Sequence, residues 1–442
     1  GRNGRKRGIT MQRVEFTKEM KKTHKILVPM MLPIHFQFLQ NIFHKEGYNV
    51  ELLETKGQSI IDEGLKNVHN DTCYPALLVI GQMIDALKSG KYDTDHVALA
   101  ITQTGGGCRA SNYIHLLRKA LVQAGFAHVP VISVNFSKLE KNSGFKLTPS
   151  MLLRLLYGFL YGDMLMWLKN QCKPYELEKG SSDALVTTWI ETITREFDSL
   201  SFLRLQKNYK EMLEDFASLP RSGKKKIRVG IVGEIYMKYA PLGNNDLEEF
   251  LIHEGCEPVV SGVLDFGLYC LENAKIDYEY YNRNKKSHTI VSLASAYIQN
   301  LQKKGNKLIE PQGIFHVPDS FQEVIENSEG MIDRGVKMGE GWLLTSEMVT
   351  LIKNGVNNIV CCQPFGCLPN HIVAKGMARK LKNKYPYSNI VAVDYDPSAT
   401  KVNQENRLKL MLSNARLNET FLKEKQEETN KAIAKQTAYA CD

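Results

Sequence analysis

The stretch Ile101–Tyr113, ITQTGGGCRASNY, decides the fold. An apolar run of strand length, His96–Thr102 (HVALAIT), leads into it, and Ala110–Ala124 carries apolar residues at helical spacing after it. Gly105, Gly106, Gly107 and Cys108 therefore fall on a turn between a strand and a helix. In an open α/β sheet such a turn lies at the carboxyl edge, where ligands bind. Three glycines there let backbone amides approach a bulky anionic group without interference from Cβ atoms. A thiolate just ahead of a helix start is also favoured by the helix dipole. The same residues equally suit a glycine turn beside an inert buried cysteine, so the rest of the chain has to decide.

Upstream, Lys25–Met30 reads as a strand, Phe36–Lys45 as a helix and Asn49–Leu53 as a second strand. His69–Pro75, HNDTCYP, opens a helix carrying Ala76, Leu77, Val79, Ile80, Met83, Ile84 and Leu87. Asp71 or Thr72 is its expected N-cap, and Pro75 suits a first turn. Cys73 then stands at a helix start, as Cys108 does. Val129–Val134 supplies a further strand. This alternation predicts an α/β fold whose first domain, residues 25–147, is a Rossmann-like, doubly wound and mainly parallel sheet.

Residues 148–222 lose the strand signal. Leu185, Trp189, Ile193, Phe197 and Leu200 recur at helical spacing, which predicts a helical insert, with Trp189 and Phe197 in its core and not in a cofactor site. The run Leu219–Lys226 (LPRSGKKK) reads as a linker into a second Rossmann-like domain, residues 223–420. There Ile227–Val232 is a strand ending in GEIYMKY (Gly233–Tyr239), and Asn244 or Asn245 of the following PLGNN caps a helix. Helices are expected at Ile290–Leu301, Glu347–Lys353 and Ile372–Lys382. The expected strands are Asn358–Val360, running into CCQPFGCLPNH (Cys361–His371), and Asn389–Val393. Asp394 and Asp396 follow that last strand, and a final helix starts at Thr400.

The chain has 442 residues, 43% hydrophobic and 24% charged, with a net charge of +9. Basic residues crowd the first 24 positions and the linker, but none are interleaved with aromatics, so nucleic-acid binding is not expected. The apolar run Ile26–Ile34 is too short for a membrane span, and no signal peptide precedes it. Nine cysteines, an odd number, argue for reduced thiols and a cytoplasmic location. The opening GRNGRKRG is unlike a natural domain start, so the chain is expected to be a fragment or to carry an unfolded tail. Residues 421–442 read as a C-terminal helix or tail.

Cys73, Cys108, Cys361 or Cys362, and Cys367 all fall where a strand gives way to a helix. Such converging thiols suit iron–sulfur clusters or zinc. Zinc knuckles of the Cys-x-x-Cys kind are missing, which leaves the cluster as the better match. His115 and His371, near Cys108 and Cys367, also allow a Cys–His pair, although histidines one turn into a helix are more often packed or solvated. Cys172, Cys256, Cys270 and Cys441 lack a turn context. No phosphate loop and no G-x-G-x-x-G follows a strand, so low-potential electrons would have to come from outside.

The segments HNDTCYPALLVIGQ, TQTGGGCRASNY, GEIYMKYAPLGNN, CCQPFGCLPNHI and VAVDYDPSATKVNQENR resemble the 2-hydroxyacyl-CoA dehydratase family. They are closest to its branch of double-cubane-cluster proteins and large activase-related proteins. The resemblance implies a [4Fe–4S] or [8Fe–9S] cluster held by Cys73, Cys108, Cys367 and, as a further ligand, Cys361. It also implies a homodimer served by an ATP-hydrolysing activator of the actin-like type, which injects electrons singly. The expected activity is ATP-dependent reduction of a small molecule or acyl-CoA. The alternatives are a true 2-hydroxyacyl-CoA dehydratase working through a ketyl radical, and a non-catalytic electron carrier or scaffold.

Overall fold

The structure, a computed structural model, describes residues 13–69, 71–102, 107–134, 140, 142–282 and 285–418. Gly105, Gly106, Cys441 and most of both expected tails lie outside the described residues. Two four-stranded sheets carry the fold, and every pairing in them is parallel. The first contains β1 (Lys25–Pro29), β2 (Asn49–Leu53), β3 (Val97–Thr102) and β4 (Val131–Val134), in the order β2-β1-β3-β4. The second contains β5 (Ile227–Gly233), β6 (Cys256–Val259), β7 (Asn358–Pro364) and β8 (Asn389–Tyr395), in the order β6-β5-β7-β8. These are the same topology used twice. In each, the chain builds outward from the first strand and then crosses back to its other side. The crevice at the carboxyl ends of β1 and β3, and of β5 and β7, is where such a sheet binds ligands.

Mostly apolar runs such as Val97–Thr102 and Ile227–Gly233 make the central strands, because a parallel sheet covered by helices buries both faces. Helix Tyr74–Lys88 is buried along almost its whole length, since its apolar residues lie all round its axis. Between the sheets come helices Pro149–Cys172, Ser181–Glu196 and Leu205–Ser218, as the spacing of Trp189, Ile193 and Phe197 predicts. The region Pro149–Tyr175 is long and apolar enough to cross a membrane by length and composition. Its helix packs against helices Pro33–Lys45 and Leu205–Ser218, and Met151, Leu160, Leu165 and Leu168 belong to the core.

One polar contact ties all three regions together. Asp163, on helix Pro149–Cys172, is 2.8 Å from Nε2 of His35 in the first region. It also accepts hydrogen bonds from the amides of Val263 (2.8 Å) and Leu264 (3.1 Å) at the start of helix Val263–Tyr281 in the second.

Some element boundaries differ from expectation. Residues 109–112 form a short 3-10 turn ahead of helix Tyr113–Ala124, rather than the start of one long helix. The expected helix Ile372–Lys382 is two, Leu368–Val373 and Ala378–Lys384. Strand β7 runs four residues further than Val360, so Cys361 and Cys362 lie inside a strand and not on a turn. Hydrogen bonding to β8 continues through Gln363 and Pro364, and this extends the strand past the apolar run.

Candidate functional site

Three cysteine-bearing loops come together between the two halves of the chain. Cys73 is the N-cap residue of helix Tyr74–Lys88, in place of the expected Asp71 or Thr72, with Pro75 in the first turn. Cys108 follows β3 and leads into the 3-10 turn. Cys367 follows β7 and is the N-cap residue of helix Leu368–Val373. Cys73 and Cys367 are 5% and 6% exposed, and Cys108 is half-buried.

Backbone contacts join the loops that carry them. The amide of Tyr74 donates to the carbonyl of Phe365 over 2.9 Å. Gly366 sits at φ +72, in the left-handed region, directly against Cys73: a Cβ there would stand 3.1 Å from Cys73 Cα and 3.2 Å from the Thr72 carbonyl oxygen. Only glycine gives both the turn and the approach. Gly107, read from the sequence as a cofactor-facing residue, has the Met338 thioether against it. A Cβ on Gly107 would come within 2.1 Å of Met338 Sδ.

The electrostatics reverse the expectation from the helix dipole. Burial pushes the Cys73 thiol up to about 11, and the charges of Glu234 and Cys108 add to that rise. A 2.8 Å hydrogen bond between Cys73 Sγ and the Tyr113 hydroxyl works the other way. Cys108 is also raised by burial, then by Glu340 and Glu234, with the Ala110 amide opposing. Cys367 is raised furthest, by burial and then by Glu234, Glu340 and Cys73. Loss of hydration outweighs the dipole at all three positions. Each carries its proton at neutral pH in the metal-free chain.

The two carboxyls in this list were not found by sequence reasoning. Glu234 directly follows β5 and caps helix Ile235–Tyr239, accepting from the Met237 amide at 3.0 Å. Glu340 accepts from the Ile235 amide, also at 3.0 Å. Burial, and then the neighbouring Glu340 charge, raises Glu234; Glu340 is raised by burial too. Glu234 lies within the GEIYMKY motif, a signal that could have singled it out. Glu340 arrives through tertiary packing from a segment with no motif of its own.

The structure does not bring Cys361 to this group. It is fully buried in a core with Val232, Val349 and Ile359, its thiol is 3.4 Å from Asn370 Oδ1, and burial pushes it up to about 12. Cys362 faces the opposite side of the sheet, among Val360, Val393 and Tyr395. Alternation along a strand separates the two. Cys172 and Cys256 are buried elsewhere, Cys270 is exposed, and the eight described cysteines are all free thiols. Among the described residues, no group of three His, Cys, Asp or Glu side chains is placed to hold a single metal ion.

The donor chemistry fits a metal–sulfur group. Glu234 raises all three thiols, Glu340 raises Cys108, Cys367 and Glu234, and the thiols act on one another through Cys108 on Cys73 and Cys73 on Cys367. Among the causes acting on them, Lys238 is the one cation, and it acts on Glu340. A cationic group bound by the thiols would take the place of their protons and invert the local field. No protein-family model matches the chain, and neither does any curated protein.

Proposed function

We propose that the chain is the iron–sulfur component of an ATP-dependent reductase or dehydratase system, built on two Rossmann-like domains. Cys73, Cys108 and Cys367 would hold the cluster. One observation carries this reading: the Cys367 loop lies directly against Cys73, and Cys73 is within electrostatic reach of both Cys108 and Cys367. When bound, the cluster would supply a low-potential electron, received from an ATP-hydrolysing activator of the actin-like type, to a small molecule or acyl-CoA.

The chain's own residues have separate tasks. Tyr113 fixes the direction of the Cys73 sulfur through its hydroxyl. The turn at Gly366 holds the Cys367 loop against Cys73. Glu234 and Glu340, each unfavourable as a second negative charge, retain a proton between them at neutral pH beside the thiols. Three converging thiols, rather than the four that fully ligate a carrier cluster, favour reduction of a substrate over a simple relay.

The test is anaerobic purification followed by iron and acid-labile sulfide analysis. Brown protein with iron and sulfide in near-equal amounts is expected. Stoichiometric zinc without sulfide would overturn the reading.

A further inference from the structure

Helix Lys285–Ile309 packs against helices Val263–Tyr281 and Leu205–Ser218. Ser295, Leu301, Gly305 and Ile309 are its buried side, and a Cβ on Gly305 would stand 2.7 Å from Tyr209 Cε2. The other side carries Ile290, Leu293 and Tyr297, which are 68%, 69% and 47% exposed. Their spacing, i, i+3 and i+7, sets them in one row along the helix. The hydroxyl of Tyr297 lies 3.3 Å from that of Tyr157, which steadies one end of the row. Apolar side chains aligned in this way mark an interaction face, unlike those scattered singly over a surface.

The charge along the same helix selects what covers the row. Its 25 residues contain no Asp or Glu. Lys285 and Lys286 stand at one end, and Lys303, Lys304 and Lys307 at the other. All five are exposed, and none forms an ion pair among the described residues. Lys286 and Lys304 lie on the same side as the row, about 27 Å apart at the rise of a helix. A second copy of the chain is a poor match for this face: in either direction, lysines of one helix would meet those of the other. A lipid surface calls for a wide apolar face, whereas Thr289 and Asn300 share the exposed side of this one.

We infer that this face docks an acidic amphipathic helix of a partner protein, its apolar residues lying along Ile290, Leu293 and Tyr297 and its Asp or Glu side chains reaching the lysines at both ends. Helices pack by setting ridges of this spacing into one another's grooves. Unpaired lysines steer an acidic partner in and turn a basic one away. The inference does not rest on the iron–sulfur reading, because the helix bears no cysteine.

The experiment is fluorescence anisotropy of a labelled synthetic helix of about six turns, with leucines at helical spacing and glutamates at both ends, titrated with the full chain. The same peptide with lysines in place of the glutamates is the control. Saturable binding of the acidic peptide is expected, weakening as salt rises, with none of the lysine peptide. Leu293→Asp changes an exposed side chain and should weaken binding about tenfold, the effect of losing one buried leucine contact. Lys304→Glu combined with Lys307→Glu should weaken it by at least as much. Lack of saturation, equal binding of the two peptides, or unchanged affinity in Leu293→Asp would each overturn the assignment. Binding to phosphatidylglycerol vesicles that is lost in Leu293→Asp would give the face to a membrane instead. Self-association of the parent chain that is lost in that variant would give it to a second copy, and either result also overturns the assignment.

Discussion

The hydroxyl of Tyr113 stands 2.8 Å from the thiol of Cys73, forty residues earlier in the chain. It joins the two cysteine-bearing turns of the first sheet, because Tyr113 closes the same ITQTGGGCRASNY stretch that holds Cys108. The phenol's own ionisation is driven well above its ordinary value, first by burial and then by the Cys73 charge, so it stays a donor. Tyr113→Phe removes the group that favours the Cys73 thiolate. In the metal-free protein, alkylation of Cys73 by iodoacetamide at pH 9 should slow. Cluster binding should weaken by about 10–100-fold, the usual effect of losing an outer partner of a metal ligand. Mass spectrometry of the labelled peptide reads the first effect and iron titration the second.

The cysteines divide into two groups. Serine at Cys73, Cys108 or Cys367 should abolish normal cluster loading, because each removes a thiol from the shared space. Serine at Cys172, Cys256 or Cys270 should leave the iron content unchanged. Cys361→Ser should also load normally while losing stability, since its thiol is engaged with Asn370 within a core. Iron and sulfide analysis of the seven variants separates these outcomes, and full loading in Cys108→Ser would reduce its stretch to a glycine turn.

At Gly366 the backbone of the second half lies directly against Cys73 of the first. Alanine there has to adopt a left-handed backbone and place its Cβ 3.1 Å from Cys73 Cα. The backbone strain alone amounts to about 1–2 kcal/mol. Urea unfolding of Gly366→Ala should show a loss of at least that size, together with reduced cluster loading. An unchanged midpoint would mean that the Cys367 loop is not held against Cys73.

Much of this arrangement was legible in the sequence. β1, β2, β3 and β5 are mostly apolar runs of strand length, so each is found within about a residue of its true ends. The thiols at Cys108 and Cys367 could be grouped because each follows a strand and leads into a helical turn, whereas Cys73, expected on a turn of the same kind, lies between helices Gln58–Asn67 and Tyr74–Lys88. β6, Cys256–Val259, was missed: it is four residues long and contains Glu257 and Pro258, which mask a strand. Cys361 was placed wrongly on a turn because β7 continues through the polar Gln363 on the strength of its ladder with β8. Glu340 has no local pattern. Its place is made by segments far apart in sequence, and local periodicity carries no trace of such contacts.

The buried ion pair behind the GEIYMKY motif gives a test of the fold without the cluster. Lys238 Nζ donates to Glu347 Oε1 at 2.8 Å, and both residues are more than nine-tenths buried. Ser261 Oγ donates to the same carboxylate oxygen at 2.7 Å. Lys238→Ala or Glu347→Ala should each cost about 3–5 kcal/mol, because either leaves a lone charge in a dry site. The double variant Lys238→Met with Glu347→Leu should recover most of that loss. Chemical denaturation of the parent chain and the three variants reads these losses, and a double variant that loses as much as the two single variants together would overturn the coupling.

Asp265 makes stability depend on pH, and the sign is specific. Its carboxyl is 8% exposed and accepts from Gln302 Nε2 at 3.1 Å. Burial, and then the nearby Asp163 charge, raises it to about 8, with Glu347 adding to the rise and Lys238 opposing it. An unfolded carboxyl titrates at about 3.9. Between these values the folded chain binds a proton that the unfolded chain has released, so stability falls as pH rises. The contribution is complete below the unfolded value and is lost as pH climbs through the folded one. Asp265→Asn keeps the shape and removes the titration. Relative to the parent chain, the variant should therefore gain stability on going from pH 5 to pH 8, on the order of 1–3 kcal/mol. Urea midpoints of both proteins at the two pH values provide the measurement. An equal difference at pH 5 and pH 8 would show that Asp265 is already ionised in the folded chain.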